Sequence, residues 1–482
     1  MTNYIPTIGV EVHVELKTKT KIFSNSTNGY GQMANSLTNV VDLGYPGTLP
    51  TLNEEVVNLA IKAATILNCK IRREMHFDRK NYFYPDNPKN YQITQFATPI
   101  GYDGYVEIEV DGEKKKVFIE EMHIEEDTCK STHRGERTLL DFNRAGVPLI
   151  EIVTKPCMTS SKEAKAYLEK LKELLFYSDI SDCKMEEGSM RADANVSIRK
   201  KEEDPFGVKA EIKNIGSISN VGLSIEKEIE RQARIYDAGE TFKPQTRRFD
   251  DKLQDTVLMR VKETGNDYRY FPEPDIPFVI ITDERIEKVK KSIPMLADER
   301  REKYIALGVS EINAKKIVAN RPLSDYFNTL LEEKTNFKIA SNLLLGDISF
   351  YLNKNEKDIT ETTLTKERFL ELISLMDNNT LTSKNLKEIL DIILESDKSI
   401  TTIMKENGIE NITDDSEIRE VIQKIIKDNP ESVEDYKAGH DRAIKYLMGQ
   451  VMKETKGKVN PKMAMDILTE KLNSWKLKKI IS

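Results

Sequence analysis

Near its amino end the chain reads Ile8-Gly-Val-Glu-Val-His-Val-Glu-Leu16, alternating apolar and polar residues without a slip. A period of two marks a strand with one face buried, and sliding it by one residue would exchange its faces. The polar face of this strand is Glu11, His13 and Glu15, two carboxylates astride an imidazole, with Val10, Val12 and Val14 behind. The same period puts Glu121, His123, Glu125 and Asp127 on one side of a second segment and Glu120 and Glu126 on the other. After Gly188 a third segment sets Ser189, Arg191, Asp193, Asn195 and Arg199 against Met190, Ala192, Ala194, Val196 and Ile198. Such segments are satisfied together by a sheet whose apolar side meets a core and whose polar side gathers over one cleft.

Other elements are legible around them. Glu54 to Leu67 and Ser161 to Tyr177 have helical periodicity, the second with Ala164, Leu168, Leu171 and Leu175 on one face. Tyr105 to Val110, Asp111-Gly112 and Val117 to Asp127 form a predicted hairpin, Asp-Gly being a tight-turn signal. Met190 to Arg199 and Val208 to Lys213 alternate again, with Asp204-Pro205 and Gly207 between them. This is an α+β pattern with an antiparallel sheet, unlike the regular alternation of a doubly wound fold. After Pro294 strand signals fade and 296 to 405 reads as helices, with Asn353 to Asn355 and Asp377 to Asn379 as connections. A polar linker, Asn407 to Ser416, precedes an amphipathic stripe of Ile418, Val421, Ile422, Ile425 and Ile426 that stops at Asn429-Pro430. Three domains are expected: a cradle over 1–294, a helical domain over 295–406 and a small helical tail over 407–482.

Composition excludes several classes. With 39% hydrophobic and 32% charged residues over 482 positions, the chain is neither disordered nor a short interaction module. Its longest apolar runs, such as Phe278 to Ile281, are far too short for a membrane span, and no secretory or transit pattern opens the sequence, so a cytoplasmic protein is expected. Cys69, Cys129, Cys157 and Cys183 include no C-x-x-C pair, which argues against structural zinc or a disulfide framework. Net charge is −7, yet from Tyr436 onward 11 Lys and Arg face 4 Asp and Glu, leaving +7 there and −14 on the rest. A basic end is where phosphate contact would be sought.

The acidic strand faces point to chemistry. A solvated face also carries polar residues, but Glu is a poor strand former and neighbouring carboxylates repel, so several such faces call for cations. Oxygen ligands with one His suit Mg²⁺ or Mn²⁺, which commonly bridge carboxylates and phosphates. Two aromatic, cationic, proline-containing segments, Phe77 to Gln92 and Asp267 to Asp275, have the residue types a nucleotide requires. No Walker motif or G-x-S-x-G elbow occurs. The lone G-x-G-x-x-A match, Gly29 to Ala34, follows Ser24-Asn-Ser-Thr-Asn28 and reads as a loop. His76, His133 and His440 fit structural or surface roles.

Longer motifs go further. The strand Ile8 to Lys17, Phe77-Asp-Arg-Lys-Asn-Tyr-Phe-Tyr-Pro-Asp86, His123-Ile-Glu-Glu-Asp127, Lys184-Met-Glu-Glu-Gly-Ser-Met-Arg-Ala-Asp-Ala-Asn195, Asp267-Tyr-Arg-Tyr-Phe-Pro-Glu-Pro-Asp275 and the Tyr446 to Lys458 segment closely resemble the B-subunit family of tRNA-dependent amidotransferases. The resemblance implies amidation of Glu-tRNA(Gln), Asp-tRNA(Asn) or both, with ATP and ammonia, in a heterotrimer with a glutaminase partner, which releases ammonia from glutamine, and a small third polypeptide. It implies a cradle resembling the glutamine synthetase fold, followed by the helical domain and a tRNA-contacting tail. It also implies Glu11, His13, Glu125, Glu126 and Glu151 as metal ligands, with Glu186, Glu187 and Asp193 lining the same cradle and Lys80, Ser189 and Arg191 meeting phosphate or the aminoacyl end. Catalysis would centre on Glu11, His13, Lys80, Glu126 and Asp193. Thr128 and Cys129 depart from the family's small residues after Asp127 without touching these roles. A non-catalytic tRNA-binding scaffold would explain the basic tail alone, and a metal-dependent phosphoesterase the acidic cluster alone.

Overall fold

The alternating segment is the middle strand of a nine-stranded sheet. In chain order the strands are β1 (Ile5–Glu15), β2 (Lys70–Ile71), β3 (Gly101–Val110), β4 (Glu113–Glu126), β5 (Pro148–Thr154), β6 (Met190–Arg199), β7 (Ala210–Ile215), β8 (Gln245–Asp250) and β9 (Asp255–Val261). Across the sheet they lie β9-β8-β7-β6-β1-β5-β4-β3-β2. Pairing is antiparallel throughout except for β7 with β8, which are parallel and joined by the crossover helix such a pair requires. The hairpin turn between β3 and β4 holds Asp111 at φ 54° and Gly112 at φ 86°, the left-handed conformations that Asp-Gly supplies at least cost.

Three helices cover the apolar side: α1 (Glu54–Ile66), α2 (Ser161–Tyr177) and α3 (Ile218–Asp237). Each starts on a side-chain cap: Asn53 accepts from the Glu55 N–H, Ser160 from Glu163 and Ser217 from Asn220. Ile61 and Ala64 of α1, Leu168 and Leu171 of α2, and Val221 and Ile225 of α3 join Val10, Val12 and Val14 in one core. At roughly 1.5–3 kcal/mol per fully buried aliphatic side chain, this burial fixes the register of β1 and leaves its polar face on the other side. Gly104 is required by packing, because a Cβ there would collide with the Cys69 Sγ and the Leu67 carbonyl.

The computed structural model describes residues 3–261, 267–409, 415–440, 442–455, 459 and 461–478, so half of the expected 407–416 linker, residues 410–414, along with Lys456, Gly457 and Lys458, lies outside the described residues. The chain divides into two units, Met1–Ala297, which contains the sheet, and Asp298–Ser482, whose described elements are helical. In the second unit Asp415–Asp428, Pro430–Lys437, Arg442–Glu454 and Pro461–Lys478 share a core that includes Ile418, Ile422, Val433, Leu447, Val451 and Leu468.

Candidate active site

Strand register assembles the polar face. His13 of β1 lies opposite Arg191 of β6 and Glu151 of β5, and Glu151 in turn lies opposite His123 of β4. Glu11 is level with Asp193, Leu149 with Glu125, and Asn195 with Glu211 of β7. Directly paired residues point to the same face about 5 Å apart, so residues distant in sequence converge here without help from any loop.

The convergence forms two groups. In the first, His13 Nε2 lies 3.4 Å from a Glu125 oxygen and 3.6 Å from Glu151. His123 Nε2 is 3.0 Å from Glu151 and 3.8 Å from Glu125. Burial alone would strip the His123 proton, but its hydrogen bonds to Glu125 and Glu151 outweigh that and raise its pKa to about 10. The same contact overcomes the burial of Glu125 and Glu151 and holds both carboxyls below their usual range. In the second group Lys213 Nζ bridges Asp193 at 2.7 Å and Glu211 at 2.8 Å. Asn195 donates to Glu11 at 2.7 Å. Burial, reinforced by Glu151, raises the Glu11 pKa.

These groups border a cleft of about 930 Å³ whose lining includes His13, Lys80, Glu125, Glu187, Arg191 and Asp193. Arg191 donates to Asp127 at 2.8 Å, and Arg144 approaches the same oxygen at 3.3 Å. Glu15 lies beside them, its pKa pushed up to about 7 because burial and Asp127 outweigh Arg191 and Arg144. Lys80 rests its ammonium 5.0 Å from the centre of the Tyr268 ring, so the two aromatic segments meet at the cleft. Glu186 is exposed on the lining, and Glu187 pairs with Lys184 at 2.8 Å. The Ser189 hydroxyl donates to the Lys184 carbonyl at 3.2 Å and accepts its N–H at 2.8 Å, closing a tight turn.

Glu126 stands apart from the residues expected with it. One position beyond Glu125 on a strand, it points to the opposite side, where Lys89 donates to both its oxygens and the Ile93 N–H donates at 2.9 Å. The structure does not bring its carboxylate to His13. Conversely, His123, Glu211 and Lys213 belong to the site and were not among the expected site residues. For His123 the signal was present, since it shares the face of Glu125 by period two. Glu211 needed the register of β7, which the sequence does not state.

Chemically the first group fits a divalent cation: ligand atoms of His13, Glu125 and Glu151 all lie within 4.8 Å of one another, an imidazole and two carboxylates. Glu11, Asp193 and Glu211 satisfy the same spacing, and the Asn195 carbonyl oxygen beside them is buried without a donor. Lys213 is the positive charge that the second group now holds.

Comparison with known proteins identifies the family. Residues 6–287 match the family described as GatB/GatE catalytic domain, and residues 325–472 match a GatB domain. The chain is 48% identical over 473 residues to the B-subunit of the aspartyl/glutamyl-tRNA(Asn/Gln) amidotransferase of Bacillus licheniformis, covering 98% of this chain and 99% of that protein. The B-subunit of the same name from Geobacillus thermodenitrificans is 48% identical with the same coverage, and that of Bacillus cereus 48% identical over 97% of this chain and 98% of its own. With the catalytic-domain match spanning more than half of its length and relatives nearly half identical from end to end, this chain belongs to the GatB/GatE family.

Proposed function

We propose that the chain is the transamidating component of a tRNA-dependent amidotransferase, which activates the side-chain carboxylate of Glu-tRNA(Gln), Asp-tRNA(Asn) or both with ATP and replaces its oxygen with ammonia. The observation that carries the reading is that His13, Glu125 and Glu151 bring ligand atoms close enough together to hold one divalent cation, beside a cleft lined by Lys80 and Arg191. A carboxylate does not accept ammonia directly, because oxide is a poor leaving group. Attack of a carboxylate oxygen on the γ-phosphorus of ATP releases ADP and gives an acyl phosphate. Ammonia then adds to its carbonyl carbon, phosphate departs, and the nitrogen loses a proton to leave the amide. Mg²⁺ or Mn²⁺ on His13, Glu125 and Glu151 would supply neutralisation of phosphate charge. Lys80 and Arg191 orient phosphate oxygens, Glu186 and Glu187 line the cleft beside the turn that Ser189 closes, and Asp193 and Lys213, with Glu11 opposite Asp193, set the charge next to Arg191.

The finer assignments belong to the same reading: a cradle related to glutamine synthetase over 1–294, a helical domain over 295–406, a tRNA-contacting tail over 407–482, a glutaminase and a small third polypeptide as partners in a heterotrimer, and residence in the cytoplasm. Among the described residues no helix is long and apolar enough to cross a membrane. The test is amide formation on preformed Glu-tRNA and Asp-tRNA. With ATP, Mg²⁺ and ammonium the isolated chain forms Gln-tRNA or Asn-tRNA, and with glutamine it does so only when both partners are added. ATP hydrolysis independent of charged tRNA, with no amide formed, would instead favour a phosphoesterase.

A further inference from the structure

Two strands, Lys130–Arg134 and Arg137–Asp141, form a separate hairpin between β4 and β5. All residues from Lys130 to Leu139 are exposed, so apolar burial does not explain the projection. Its position does: Lys130 and Asp141, at its base, line the cleft. Its base is also braced. Asn35 donates its backbone N–H to Asp141 at 3.0 Å and its amide to the Leu140 carbonyl at 3.2 Å, and accepts the Phe142 N–H at 2.7 Å. Asn143 donates to the Met33 carbonyl at 2.8 Å and accepts from Leu37 at 2.8 Å. Five hydrogen bonds thus hold an exposed arm in a set direction beside the cleft.

The charge on the arm is unusual. Arg134 and Arg137 are directly paired across the turn, so their guanidinium groups leave from the same face, and strand alternation puts Lys130 on that face too. Like charges directly opposite each other destabilise a ladder, and neither arginine has an ion-pair partner among the described residues. Glu136 is the one acidic residue from Lys130 to Thr138, and the chain outside the basic tail is strongly acidic. A cationic face of this kind, on an arm whose base lines a cleft that also holds Lys80, Arg144 and Arg191, is complementary to a polyanion that enters the cleft.

We infer that the 130–141 hairpin is a phosphate clamp for the acceptor end of tRNA, with Arg134 and Arg137 meeting backbone phosphates of the strand whose 3′ end reaches the cleft. The inference rests on the proposed amidotransferase function and adds a nucleic-acid contact in the first unit, separate from the basic tail. Phosphate contacts of this type position the substrate and carry no base specificity.

The test uses the assembled amidotransferase carrying Arg134→Gln and Arg137→Gln together, both at exposed positions that no core depends on. The probes are uncharged tRNA for binding and Glu-tRNA or Asp-tRNA for turnover. Each lost phosphate contact removes about 0.7–0.9 from the slope of log affinity against log salt, so the double variant should lose about 1.5. KM for charged tRNA should rise roughly fivefold or more near physiological salt while kcat at saturating tRNA and KM for ATP stay at wild-type values. Arg134→Lys with Arg137→Lys, which keeps the charge, should restore most of the slope. A wild-type salt slope and KM in the glutamine variant overturns the clamp, as does loss of complex formation with tRNA binding intact, which would make the hairpin a protein contact. If wild-type complex amidates no tRNA, the functional reading falls first; if it does and the variant matches it, only the clamp falls.

Discussion

Glu125 and Glu126 are adjacent in sequence and opposite in consequence, so exchanging each for the isosteric amide separates the metal reading from mere acidity. Ligand atoms of His13, Glu125 and Glu151 lie within 4.8 Å of one another, which places a cation among them less than about 4 Å from each. Unit charges about 4 Å apart attract by roughly 4 kcal/mol at an effective dielectric of about 20, and a divalent ion doubles this before the cost of its lost hydration. A net loss of at least about 3 kcal/mol is therefore expected from Glu125→Gln, on the order of 100-fold or more in cation affinity. Glu126→Gln removes no charge from that group. It leaves the Lys89 ammonium, which is 14% exposed, beside a neutral amide, and a broken buried pair costs about 3–5 kcal/mol of stability. Mn²⁺ binding followed by the spin-resonance signal of the free ion reads affinity without reference to turnover, and urea unfolding reads stability. Glu125→Gln should bind Mn²⁺ at least about 100-fold more weakly and lose ATP-dependent amidation, while staying folded because His123 keeps its closer partner Glu151 at 3.0 Å. Glu126→Gln should bind it within about threefold of wild type and unfold at lower urea. The reverse pattern, weak Mn²⁺ binding in Glu126→Gln and normal binding in Glu125→Gln, refutes the assignment drawn from strand alternation.

Removing the basic tail should weaken tRNA binding and lower the salt slope by about 1 or more, with amidation intact at saturating tRNA. Because its core joins Ile418, Ile422 and Val433 to Leu447 and Val451, the deletion must begin at 407 instead of 436, and an unchanged slope would mean the charge is simply solvated. Glu228 is fully buried, accepting from Arg231 at 2.9 Å and Gln232 at 2.8 Å with Arg247 at 3.4 Å, so Glu228→Ala strands two guanidinium groups and should cost about 3–5 kcal/mol in urea unfolding; a loss under about 1 kcal/mol would show that water solvates them.

Alternation along the chain sets which faces of β1, β4 and β6 are apolar, and therefore which side of each strand carries Glu11, His13, Glu125, Arg191 and Asp193. That follows because strand geometry alternates side chains with a period that needs no partner to be read. Nearby residues also set α2 from Ser161 to Tyr177 and the Asp-Gly turn between β3 and β4, since caps, apolar stripes and left-handed turn residues are local signals. Which strands became neighbours was settled by the packing of the whole sheet. That choice set His123 against Glu151, brought Glu211 and Lys213 to Asp193, and gave Glu126 to Lys89. Two acidic residues side by side look interchangeable in a motif, but a half-turn of the backbone separates their environments. Pairing across a sheet joins residues up to about two hundred positions apart, and its energy comes from burying the shared apolar face, a property of the whole assembly that no short stretch of sequence contains.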